Sequence, residues 1–217
     1  MEGLPKLRLL TAAELAAENR SGTLVLDTRP AEQFAALHIR RSIQISLLGY
    51  FAAWAAILIV PKQKLVLIAE NAKSAQEAQN RLARVGVERV VGYALADKKR
   101  WREEGIEVAS ISTQRCAALG PMLQGDSPIQ LLDVRSRAEW LKGHLPGAIS
   151  IPLLDLDSKA RFIDLSRPSL VYCHEGYRAT TAASILLREN AGNIGILIDG
   201  IEGWSASGLS LEMPESK

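Results

Sequence analysis

The chain has 217 residues, a formal net charge of +2, 47% apolar and 23% charged residues. These are the proportions of an ordinary globular protein, and they exclude wholesale disorder and a fibrous class. Charges of both signs are interspersed, with no basic block and no stacking aromatics, so there is no footprint for nucleic acid. The two cysteines, Cys116 and Cys173, are too far apart to form a ligand-spaced cluster or a disulfide framework. No metal is expected, and a reducing cytoplasm suits the chain.

Residues 1–10 mix charged with apolar side chains and carry no export signal. The first strand candidates are 23–27 and 43–45. Residues 47–61 follow as the most apolar stretch, too short to span a bilayer and bounded by Lys62 and Lys64, so a core or interdomain helix is expected and no membrane partner. Strand candidates 64–68 and 89–91 flank a helical pattern at 75–85. The second half repeats this plan, with strand candidates at 129–133, 148–151, 169–172 and 194–198 and a helix at 180–190. Doubly apolar strands alternating with helices predict an α/β fold, a mainly parallel sheet flanked by helices on both faces, with ligands at the carboxyl ends of its strands.

The two halves also match residue by residue. Leu24-Val25-Leu26-Asp27-Thr28-Arg29 reads against Gln130-Leu131-Leu132-Asp133-Val134-Arg135, and Phe34 and His38 match Trp140 and His144 at the same offset. Residues 65–67 read against 170–172 with one residue less, and 101–105 against 204–208. Order and spacing persist, which predicts two copies of one domain, 1–110 and 111–217. No Gly/Ser-rich or Pro-rich linker joins them, so the units are expected to pack together, with the 47–60 run as the candidate contact.

Chemistry concentrates in Ser169-Leu170-Val171-Tyr172-Cys173-His174-Glu175-Gly176-Tyr177-Arg178. An apolar strand ends at a thiol, and a short polar loop leads into a helix. Backbone N–H groups and the positive end of the helix dipole converge on such a loop, favouring an anion and therefore a thiolate. Gly176 permits the tight backbone, and the Arg178 fork can hold a charged group. Six residues from Cys173 to Arg178 inclusive are few enough for the amides to curl around one sulfur.

With Asp133-Val134-Arg135, Glu139-Trp140, Gly143-His144-Leu145-Pro146-Gly147-Ala148, the Cys173–Arg178 loop and Asp199-Gly200-Ile201-Glu202-Gly203-Trp204 in this order, the second copy resembles a rhodanese sulfurtransferase domain. The resemblance implies that Cys173 attacks a sulfane donor, thiosulfate or a thiol persulfide, holds the sulfur as a persulfide and passes it to cyanide or a thiol. It implies no cofactor. It makes His174, Glu175, Gly176, Tyr177 and Arg178 the substrate-binding residues, and Asp133, Arg135, Glu139, His144 and Trp204 structural neighbours, with an ion pair expected between Arg135 and Glu139. His144 has its match, His38, in a copy without the thiol, so its role is architectural. Cys116 is expected to be buried filler. Related folds cradle phosphate or arsenate in a loop one residue longer, so the four residues between Cys173 and Arg178 disfavour that chemistry.

The first copy departs from this pattern. Sequence matching puts Ile68 opposite Cys173, Asn71 opposite Gly176 and Lys73 opposite Arg178, while Arg40-Arg41 replace Pro146-Gly147 and Gln33 replaces Glu139. A catalytically silent domain beside an active one is the expectation. Glu175 dilutes the loop's attraction for a small dianion and favours a thiol persulfide over thiosulfate. The Ser/Gly loop of mercaptopyruvate enzymes is absent. A sulfur carrier without turnover, or a partner-binding module, is the alternative.

Overall fold

The computed structural model describes residues 4, 6–119, 128–164, 166–189 and 192–213, and it divides into two units, 1–110 and 111–217. In the first, a capping box between Thr11 and Glu14 starts helix α1 (Ala12–Arg20) by satisfying amides that the first turn leaves unpaired. Strand β1 (Leu24–Asp27) is buried throughout, and α2 (Ala31–Ala36) follows. Then come β2 (His38–Ile39), β3 (Ile43–Gln44), α3 (Phe51–Leu58), β4 (Leu65–Ala69), α4 (Ala72–Ala83), β5 (Val90–Leu95), α5 (Lys98–Glu103) and β6 (Val108–Ala109). The main sheet runs β3-β1-β4-β5, all parallel, and β2 pairs antiparallel with β6. Leu15, Val25, Ile39, Val66, Ile68, Trp101 and Ile106 form one apolar core.

The second unit contains β7 (Ser112–Gln114), α6 (Cys116–Leu119), β8 (Gln130–Asp133), α7 (Arg137–Trp140), β9 (Ile149–Ser150), α8 (Leu156–Lys159), β10 (Ser169–Tyr172), α9 (Tyr177–Arg188), β11 (Ile194–Leu197) and α10 (Gly200–Ala206). Its parallel sheet runs β7-β11-β10-β8-β9. The chain leaves β8 for β9 on one side and returns to β10 on the other. That reversal makes the carboxyl ends of β8 and β10, where Asp133 and Cys173 stand, the switch point at which sheets of this kind bind ligands. The end of the predicted helix at Asn190 lies outside the described residues.

The duplication extends further than sequence matching shows. In the first unit Leu9 bridges to Tyr93 where the second pairs β7 with β11, and His144 bridges to Glu212 as β2 does to β6. Arg41 and Gly147 occupy the same left-handed backbone, φ +67° and +69°. The turn is therefore kept although Arg40-Arg41 replace Pro146-Gly147.

Sheet register corrects one match. Asp27 pairs with Ile68, and Asp133 pairs with Tyr172. Ile68 is thus the counterpart of Tyr172, and Ala69 that of Cys173. The following helices are capped by Asn71 and Gly176, so the first unit's strand-to-helix loop is one residue shorter. The two strands are apolar on both faces, and such runs carry no phase that would fix register from sequence.

Candidate active site

A buried ion pair stands at this switch point. The Asp133 carboxylate accepts from Arg135 N at 2.9 Å, from Nε at 3.0 Å to each oxygen and from a terminal guanidinium nitrogen at 2.6 Å, which also donates to the Gly143 carbonyl at 2.8 Å. Charges buried in this way persist only when paired and hydrogen-bonded, as these are. The guanidinium lies 5.7 Å from the centre of the Tyr172 ring, and the Tyr172 hydroxyl accepts from Leu145 N. Burial, with Asp133 nearby, pushes the Tyr172 phenol well above its ordinary range. The first unit repeats the bidentate pair with Asp27 and Arg29. This frame is therefore independent of the thiol.

His144 stacks on Trp140 at 3.4 Å and 9°, with Nδ1 at 3.4 Å from the Trp140 carbonyl, and His38 stacks on Phe34 at 4.1 Å and 13°. The indole of Trp204 donates to the Ser210 carbonyl at 2.9 Å, and its ring packs in a core with Cys116, Leu145, Tyr172 and Ile201.

Cys173 follows directly on β10 and is only 1% exposed. Helix α10 shapes the loop: Ile201 N donates to the Cys173 carbonyl at 3.0 Å, and Glu202 N to the His174 carbonyl at 3.4 Å. In a trans peptide unit the N–H lies opposite the C=O, so the amides of His174 and Glu175 face away from α10. Two glycines make this fit. At Gly200 (φ +53°) a Cβ would collide with the Cys173 and His174 carbonyls, and at Gly176 (φ +83°) with the Ile198 carbonyl.

Cys116 braces the same turn from behind. Its amide donates to both Asp199 oxygens, at 3.1 and 3.2 Å, and its thiol donates to the Gly200 carbonyl at 3.0 Å. Burial and the Asp199 carboxylate push that thiol up to about 12, so Cys116 is a support of the loop as well as filler. Sequence reasoning missed this. An Asp-Gly pair before a helix signals a turn and does not name its distant partner.

The ion pair expected between Arg135 and Glu139 is replaced by two others. Arg135 folds back onto Asp133, two residues away, while Glu139 reaches the start of α9. Both Arg178 terminal nitrogens donate to Glu139, each at 2.7 Å. Glu139 also closes a capping box on α7 through Ser136 N and Oγ. These bonds, that from Arg178 first, hold the Glu139 carboxyl down at about 2. Arg178 is raised in turn, chiefly by Glu139 and further by the nearby Cys173. Tyr177, the first residue of α9, is half-buried.

His174 and Glu175 are exposed on the outer rim, joined by Glu202 of α10. The His174 Nδ1 lies 3.4 Å from a Glu175 oxygen and 4.0 Å from a Glu202 oxygen. Among the described residues these three are the group with the side chains and spacing to hold a metal ion. Glu202 escaped sequence reasoning because it is distant from the loop in the chain.

Two stretches, residues 11–103 and 119–207, match the rhodanese-like domain profile. The chain belongs to the rhodanese family. It is 29% identical over 98 residues to a sulfurtransferase of Allochromatium vinosum, an overlap of 45% of this chain and 92% of that one. It is 26% identical over 97 residues to the putative sulfur carrier protein YrkF of Bacillus subtilis, covering 45% of this chain and 52% of the relative, so it spans about half of that protein's length. Among solved structures, a rhodanese-related protein from Thermoplasma volcanium is 25% identical, with a TM-score of 0.43, covering 46% of this rhodanese and 97% of that chain. No described helix is long and apolar enough to cross a membrane.

Proposed function

We propose that the second unit is a sulfurtransferase that carries sulfane sulfur on Cys173, and that the first is a silent rhodanese-like domain. The observation that carries this reading is the thiol itself: Cys173 stands at the switch point of a rhodanese-like sheet, on a loop held by α10, where the first unit has Ala69. The Cys173 thiolate attacks the outer sulfur of the donor. A new S–S bond forms, and the donor's own S–S bond breaks with its electron pair leaving on sulfite or on a thiolate. The terminal sulfur of the enzyme persulfide is anionic, and the amides facing away from α10 suit it. Cyanide or a thiolate then attacks that sulfur, and Cys173 leaves as thiolate. Every step exchanges one S–S or C–S bond, so the protein's own side chains suffice.

Incubation with thiosulfate or glutathione persulfide should add the mass of one sulfur, and cyanide should remove it as thiocyanate. Cys173→Ala should abolish both. Equal loading and transfer by Cys173→Ala would overturn the assignment. A second reading is supported by the relative named a putative sulfur carrier: loading without turnover on cyanide or small thiols would make Cys173 a relay to a protein acceptor.

A further inference from the structure

The feature that the transfer chemistry leaves unexplained is the pair made by Glu139 and Arg178. Arg178 is the one guanidinium in the Cys173–Arg178 loop, the natural receptor for an anionic donor, yet both its terminal nitrogens donate to one carboxylate. Two of its five N–H donors are then taken and its charge is offset by the carboxylate, so it attracts a second anion less. The rim adds charge of the wrong sign for such a donor, because Glu175 and Glu202 flank His174 there. The first unit gives the comparison. With no thiol to serve, Gln33 stands in place of Glu139 and donates to Glu70 at 2.7 Å, so no charge pair sits beside that loop.

We propose that Glu139 is a positioning residue that sets donor specificity: by clamping Arg178 it withholds the guanidinium from sulfur oxyanions, leaving thiol-bound sulfane sulfur as the donor class. The proposal rests on the sulfurtransferase reading of Cys173. The two donors make different electrostatic demands. Thiosulfate brings a dianion to a thiolate, gathering three negative charges at the reacting centre before sulfite departs, whereas a persulfide attacked through its protonated form, R–S–SH, adds none at the reacting sulfurs and leaves as R–S⁻. Loop amides alone accommodate the second transition state. The first is favoured by a cation, and the loop's guanidinium is offset by Glu139.

The test compares thiosulfate and glutathione persulfide as donors to the full chain, with cyanide as acceptor, in the parent, Glu139→Gln and Glu139→Asp. The glutamine keeps an acceptor for the Ser136 cap and removes the charge. It should lower the thiosulfate KM by about fivefold and change the persulfide KM by less than about twofold, while Glu139→Asp, with its charge retained, should return toward the parent. A parallel loss with both donors would reduce Glu139 to a structural role and overturn the proposal, as would an unchanged thiosulfate KM. The parent alone supplies a second measurement, one that needs no variant to fold. Like-charge repulsion makes its kcat/KM for thiosulfate rise with ionic strength, whereas an available Arg178 anchor would make it fall, and a fall overturns the proposal. If the parent is loaded by neither donor, the sulfurtransferase reading itself fails, an outcome distinct from loading without discrimination.

Discussion

Glu139 has a second consequence, for stability in acid. Its carboxyl is held at about 2 against an ordinary 4.5, first by the Arg178 bonds. A carboxyl that binds its proton more weakly in the folded than in the unfolded chain contributes stability that is complete above the unfolded pKa and is lost as pH falls through the folded one. The side chain is 30% exposed, and screening by water limits the contribution to about 1 kcal/mol. Glu139→Gln should therefore unfold at lower urea concentration than the parent at neutral pH, and the two midpoints should converge as pH falls from about 4.5 towards 2. A gap independent of pH would show that the clamp is not what Glu139 adds to stability. Both cysteines are buried, and they differ in what holds them. Cys116 is fully buried, donates its proton to Gly200 O and is pushed up to about 12. Iodoacetamide should add a single label to the native protein, at Cys173, and two after unfolding. Rapid native labelling of Cys116 would contradict the brace. The Cys173 loop was legible in sequence because its functional groups are consecutive. The partners of Arg135 and Arg178 were not, because a forked cation takes the carboxylate that the fold brings near, and Asp133 and Glu139 are both close to Arg135 in the chain.

At the scale of elements, α10 matters for where it begins. Its first amides hold the Cys173 and His174 carbonyls, and Gly200 is the only residue type that fits where it starts, since any Cβ would strike both carbonyl oxygens and φ is positive. Gly200→Ala should cost about 2–4 kcal/mol from the left-handed backbone and the displaced loop. It should also slow sulfur loading of Cys173 by well over about tenfold, beyond what lost stability explains, because a misplaced nucleophile is costly. Unfolding in urea and single-turnover loading check the two parts, and normal loading by a destabilised variant would separate α10 from the chemistry. The main strands and both long helices were readable from alternation and helical spacing. The two-residue strands β2 and β6 were not, being too short for any pattern to register. Nor was the register of β4 against β1, where every residue of β4 is buried and a slip leaves the apolar pattern unchanged.

Taken whole, the molecule carries one scaffold twice and the Cys173 loop once, and the comparison of its halves separates what the fold needs from what the proposed chemistry needs. Both units keep the buried Asp-Arg pair, the aromatic-histidine stack and the left-handed turn at Arg41 or Gly147. These belong to the fold. The thiol, the longer loop and the Glu139–Arg178 pair occur together in the second unit alone, and they are assigned to the proposed function. Restoring the thiol by itself should therefore fail. Ala69→Cys, placed by sheet register at the position of Cys173, puts a sulfur at the end of β4, but the loop that follows is one residue shorter and is capped by Asn71 through Ser74 rather than by a left-handed glycine. Its amides are committed to starting a helix. In a Cys173→Ala background, Ala69→Cys should add no sulfur from thiosulfate or glutathione persulfide and form no thiocyanate, at a cost of about 1–3 kcal/mol for the larger side chain in a fully buried site. Sulfur transfer by that double variant would mean that the sheet end alone activates a cysteine, and that the loop length and the clamped arginine are dispensable.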